Sequence, residues 1–180
     1  MTISIINKWA ISAITATLVL LSTGCTDLTV DVESEYTENN FPENPSDNFI
    51  AGLTGPVYTQ LRKEYCMSYW FMQELSTDEV ILPARGGNWY DGGKYKELHQ
   101  HIWTIDHSIT ASAWSWAYSG VSTCNSILQP IENNSSAQVA VAEIKTMRAL
   151  YYYFLLDLFG NVPIITHFGD TTKVTKSPSA

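Results

Sequence analysis

Most of the side chains that could do chemistry fall between Ser76 and His107. Asp78, Arg85, Asn88, Trp89 and Asp91 set a large apolar ring beside carboxylate, guanidinium and amide groups. A sugar has apolar ring faces and a rim of hydroxyls, so an aromatic platform flanked by fixed polar partners is a chemistry that could hold it. Two plainer roles compete. Asp78, within Ser76-Thr77-Asp78-Glu79, can cap a helix or brace the loop, and Trp89 can pack beneath the loop instead of stacking on a ligand. Hydrolysis would need two carboxylates facing one bond, and Asp78, Glu79 and Asp91 could supply them. Any acidic loop offers such pairs, however, and no Gly-x-Ser-x-Gly nucleophile motif accompanies them, so no catalytic residue is assigned. His99, His101 and His107 lie near Trp103 but lack an obvious fourth ligand, so neither metal nor cofactor is expected. Arg148, five residues from Glu143, reads as an internal partner and is left out of the site.

The elements that must position these residues read as helices. Ser46 can cap a helix carrying Phe49, Leu53, Val57 and Leu61 on one face, which Gly55-Pro56 should kink or break. The aromatic stretch Cys66 to Leu75 can continue as helix, and Pro83 to Gly93 is a loop rich in turn-forming glycines. From Ile109, the series Trp114, Ala117, Tyr118, Val121, Cys124, Leu128 and Ile131 steps by three and four. After a turn at Asn133-Asn134-Ser135-Ser136, Val139, Glu143, Met147, Leu150, Tyr151, Phe154 and Leu158 repeat the pattern until Gly160. Two long helices joined by a short polar loop predict an antiparallel hairpin. The fold class is therefore all-α, with helical hairpins of the tetratricopeptide-like type and long irregular loops. No 34-residue sequence repeat supports an array directly.

The chain has 180 residues, with 6 Trp, 10 Tyr and 6 Phe, enough for one aromatic-rich domain. Eighteen acidic against ten basic residues give a net charge of −8, which argues against a nucleic-acid partner. Residues 1–24 read as a signal peptide: Lys8 is the only charge before an apolar run from Trp9 to Leu21 that ends in Ser22-Thr23-Gly24. Leu21 to Cys25 resembles a lipobox, with the leucine four residues before the cysteine instead of three. Cys25 is the expected acylated amino terminus and membrane anchor. Residues 25–45 hold acidic and no basic side chains and read as a solvated tether, leaving 46–180 as the folded domain. Cys66 and Cys124 could pair in an exported protein or stay as free thiols.

Several landmarks occur together in order. Gly24-Cys25 and the acidic tether precede Glu74-Leu75-Ser76-Thr77-Asp78-Glu79 and Arg85-Gly86-Gly87-Asn88-Trp89-Tyr90-Asp91-Gly92. Trp114 to Tyr118, Cys124-Asn125, Met147-Arg148-Ala149 and Asp157-Leu158-Phe159-Gly160-Asn161-Val162-Pro163 follow. Over residues 25 to 165 the chain resembles the amino-terminal part of the SusD/RagB family. The resemblance implies a lipid-anchored, non-enzymatic protein of the outer membrane, exposed at the cell surface. It would bind oligosaccharide and work with a TonB-dependent porin of the SusC type. It also implies Asp78, Arg85, Asn88 and Trp89 as ligand-binding residues. Because family members are much longer, the chain is expected to be truncated at its carboxyl end. A helical scaffold lipoprotein that binds only a protein partner is the competing expectation.

Overall fold

The computed structural model describes residues 41–170. The signal peptide, Cys25 and most of the proposed tether lie outside the described residues.

Helix α1 spans Asp47–Glu64. Ser46 has extended backbone, and its hydroxyl accepts the Phe49 N–H at 3.2 Å, satisfying one of the unpaired donors of the first turn. Asp47 in the first turn and Arg62 and Lys63 in the last complement the helix dipole. The expected break at Gly55-Pro56 does not occur, and the helix runs through it. Pro56 cannot donate to the Gly52 carbonyl, but both residues are exposed, so water can serve that carbonyl. On the opposite side Leu53, Val57 and Leu61 pack into the core. Phe41, within the stretch read as tether, is buried and meets Phe49 edge-on at 5.3 Å.

A π-helical turn, Tyr65–Tyr69, joins α1 to α2, Trp70–Glu74. Glu64 accepts from both the Ser68 N–H and its hydroxyl across the widened turn. The wider turn shifts the phase of everything after it. Upstream, Val57 faces the main core; downstream, Phe71 and Leu75 join a smaller one with Tyr95, Leu98 and Ile109. Tyr95 and Leu98 belong to α3, Lys94–His99.

Helices α4, Ser108–Ile131, and α5, Gln138–Phe159, form the expected hairpin. Its antiparallel sense is visible in the partners: Trp116 meets Phe154, Gly120 meets Tyr151, Asn125 meets Arg148 and Glu132 meets Lys145. At the turn, Asn134 accepts the Ser136 N–H at 2.9 Å. The main core holds Tyr151, Ile144, Leu155, Val121 and Cys124 in full burial, each such side chain stabilising by roughly 1.5–3 kcal/mol. Burial pushes the Cys124 thiol up to about 12. The phase predicted for α5 is corrected at its start. Val139 is 81% exposed, and Ala140, Val141 and Ile144 are buried in place of Val139 and Glu143. In α4, Trp116 is the core tryptophan, at 3% exposure, while Trp114 lies at the surface at 37%.

Gly160, at φ +69°, ends α5, and its N–H reaches the Leu156 carbonyl. The chain then returns over the hairpin as an extended strap held by side chains. Tyr118 donates to the Pro163 carbonyl, Asn125 and Tyr152 to that of Ile165, and Arg148 to Asn125 and the Thr166 carbonyl. Arg148 is thus the internal partner expected, with neutral acceptors instead of an ion pair. Among the described residues the fold is all-α, apart from a single bridge between Arg85 and Asn88. The tetratricopeptide-like expectation goes no further than this one hairpin.

Candidate functional site

The segment from Ser76 to His107 is fixed at its two ends and open between them. Ser76 and Thr77 close α2 by donating to the carbonyls of Met72 and Glu74, each at 2.7 Å. His101 bonds the Ser76 carbonyl at 2.6 Å through Nε2, and His107 bonds the Lys94 carbonyl at 3.0 Å. The three histidines therefore serve three different places, with His99 half-buried on α3.

Within this frame Arg85 and Asn88 exchange two backbone hydrogen bonds of 3.1 Å across Gly86-Gly87, a turn that needs the positive φ of Gly86 at +62°. Trp89 follows at φ +60° and Asp91 at φ +39°, a left-handed backbone that costs a side-chain-bearing residue about 1 kcal/mol or more. This strained coil lifts Trp89 and Tyr90 to 53% and 59% exposure. The Trp89 ring leans edge-on against Tyr95 at 5.8 Å, and Tyr95 against Phe71 at 5.1 Å, so the platform is footed on the smaller core.

Beneath Trp89 and Tyr90 is a cavity of about 270 Å³, with walls from Ile81 to Ala84, Gly93 and Tyr95 and a polar edge of Lys96, His99 and Gln100. Among the described residues, the side chains of Lys96 and Gln100 have no hydrogen-bond or ion-pair partner. Larger grooves of about 560 to 620 Å³ run along the helix faces. The most apolar of them, beside Tyr153 and Leu156, has its Arg148 and Tyr152 already engaged by the strap.

Of the four predicted ligand residues, Trp89 lines the cavity. Arg85 and Asn88 form the base of the turn that presents it, with exposed side chains, and Asp78 is exposed in the turn after α2. The sequence reading missed Tyr90, Lys96, His99 and Gln100. The spacing of the last three, at i, i+3 and i+4, was a usable signal, since it places them on one face of α3.

A family model described as starch-binding associating with outer membrane, SusD-like, matches residues 31–178. The chain belongs to the SusD-like family. Over 173 residues it is 27% identical to a SusD-like protein of Bacteroides ovatus, an alignment covering 91% of this chain and 29% of that protein. Over 107 residues it is 30% identical to the starch-binding protein SusD of Bacteroides thetaiotaomicron, covering 57% of this chain and 18% of that protein. The chain spans less than a third of the length of these curated relatives. No solved structure matches it. The SusD-like landmark Phe159 to Pro163 is, in the fold, the stop of α5 and the start of the strap.

Proposed function

We propose that this chain is a surface glycan receptor that captures oligosaccharide for import through a TonB-dependent porin of the SusC type, without cleaving it. In this reading residues 1–24 are removed, Cys25 carries the lipid anchor in the outer membrane, and the acidic residues between Cys25 and the buried Phe41 space the domain from the lipid. The observation that carries the binding role is the cavity beneath Trp89. The backbone under its rings is strained, and among the described residues its polar edge has no internal partners. Such strain clusters at binding loops, where the surrounding structure holds it. Trp89 supplies the stacking face, with Arg85, Asn88 and Asp78 reaching sugar hydroxyls from the turn and its neighbour. Electrophoresis through a native gel containing soluble glycan tests this: the protein is retarded, and Trp89→Ala abolishes the retardation.

The competing scaffold reading is favoured by one observation. Just beyond α3, Ile102 and Ile105 are 59% and 91% exposed with Trp103 beside them, a cluster that suits a protein contact. Porin co-purification without glycan retardation would favour it.

A further inference from the structure

The charge of the cavity under Trp89 differs from that of the protein. The chain carries 18 acidic against 10 basic residues, yet no Asp or Glu lines this cavity, while Lys96 and His99 do. The nearest acid on α3, Glu97, leans toward His107, its Oε2 3.7 Å from the imidazole Nε2. The carbonyls of Lys96, Glu97 and Leu98 at the end of α3 are taken by the N–H groups of Gln100, Ile102 and His101. What the helix end presents to the cavity is therefore side-chain donors. His99 adds a second sign: its Nδ1 is the buried side-chain polar atom without a hydrogen-bond partner among the described residues. A buried polar atom left unpaired is costly and calls for an account. In the unbound protein that nitrogen is also shielded from solvent, so engaging it requires the imidazole to turn toward the cavity.

We infer that the cavity takes an anionic sugar, one whose ring carries a uronate carboxylate or a sulfate ester. The ring stacks on Trp89 and Tyr90, Lys96 meets the anionic group, and a turned His99 and Gln100 donate to its oxygens. The inference rests on the glycan-binding reading of this loop and narrows it to a class of ligand. Charge-assisted hydrogen bonds are the strong ones, and a lone uncompensated lysine beside an aromatic floor selects for their partner. A volume of about 270 Å³ lies just below the roughly 300–1,000 Å³ typical of small-molecule sites, which suits a single sugar ring.

Isothermal titration with three probes of matched length tests the inference: an oligogalacturonate, a sulfated oligosaccharide free of uronate, and a neutral malto-oligosaccharide. At least one charged probe should bind about tenfold or more tightly than the neutral one. Lys96→Gln should lower the charged-probe affinity about tenfold more than the neutral one, and Lys96→Arg should keep most of the advantage. Lys96 is exposed, so these variants leave the fold intact. The better of the two charged probes then identifies carboxylate or sulfate. Equal or tighter binding of the neutral probe, or a charged-probe affinity untouched by Lys96→Gln, overturns the anionic preference and leaves glycan capture standing. Failure of all three probes, with no retardation on any glycan gel, overturns both.

Discussion

The α4–α5 hairpin and the Ser76–His107 segment use the same kinds of side chain to opposite ends. In the hairpin Trp116 stacks on Phe154 at 5.4 Å and meets Tyr151 edge-on at 5.9 Å, and Tyr69 closes the cluster against Phe154 at 4.8 Å. Every polar handle there is used: the Trp116 indole donates to the Gln60 carbonyl, the Tyr151 hydroxyl to that of Val57, and the Tyr69 hydroxyl to Asp157. In the loop, Trp89 meets Tyr95 edge-on at 5.8 Å, and Trp89 and Tyr90 are each more than half exposed. What separates the two is backbone. A regular helix repeats its rings onto a shared face, whereas the glycines and positive φ angles after Arg85 aim each ring separately. Aromatic content alone therefore says little about function; the backbone beneath it decides whether a ring is core or platform.

Breaking the hairpin side of this contrast should have the largest effect. Tyr151 is fully buried at the meeting of α1, α4 and α5, so Tyr151→Ala should cost about 4 kcal/mol by urea denaturation. A cost below about 1 kcal/mol would mean that the rings are not close-packed. Gly120→Ala comes next. A methyl group there would run into the Tyr151 ring, and the overpacking cost of about 1–3 kcal/mol outweighs the roughly 1 kcal/mol that alanine gains in a helix. In a Tyr151→Ala background the clash is gone, and the same substitution should stabilise.

A third effect is set by pH. Burial first, and then the hydrogen bond to Asp157, pushes the Tyr69 phenol up to about 12, and burial does the same for Tyr118. Both hydroxyls stay neutral in the fold but ionise near their ordinary value of about 10 once unfolded. Their contribution is therefore complete below pH 10 and is lost as the pH rises through the folded values. Melting temperatures should begin to fall above about pH 9, where the Cys124 thiol ionises in the unfolded chain, and fall more steeply between 10 and 12, and Tyr118→Phe should soften the steeper part.

On the loop side the stability effect should be smallest. Trp89→Ala should change stability by less than about 0.5 kcal/mol while abolishing glycan retention. Trp89→Gly should be slightly more stable than Trp89→Ala, because glycine relieves the φ of +60°. A large fall in melting temperature with retention intact would instead make Trp89 a core residue and withdraw the loop from the site.

The hairpin was legible because its periodicity runs for more than twenty residues in each arm, and the cap at Ser46 and the stop at Gly160 are local signals with local causes. Phase was less legible. Trp114 and Trp116 stand two apart, and only the partner helix decides which of them enters the core, just as it turns Val139 out and Ala140 in. Pro56 misled because a proline's cost depends on whether the carbonyl it leaves unpaired meets water, which the sequence does not record. At the site, the platform residue and its turn could be read from Gly86-Gly87-Asn88-Trp89. The polar edge was legible only in the i, i+3, i+4 spacing of Lys96, His99 and Gln100, at the end of a helix of six residues that is too short for apolar periodicity to mark its face.

The π-helical turn has a consequence at the level of the gene. One surplus residue there sets the angle between two hydrophobic faces, and a single α-helical residue step is about 100°. Loss of one codon between Tyr65 and Tyr69 would restore a regular helix, yet it would swing Phe71 and Leu75 away from Tyr95 and Leu98 and take the footing from under Trp89. A change in reading length outside the loop would thus reshape the cavity beneath Trp89, and it would also disturb the Tyr65 and Tyr69 rings that pack on Phe154 of the hairpin.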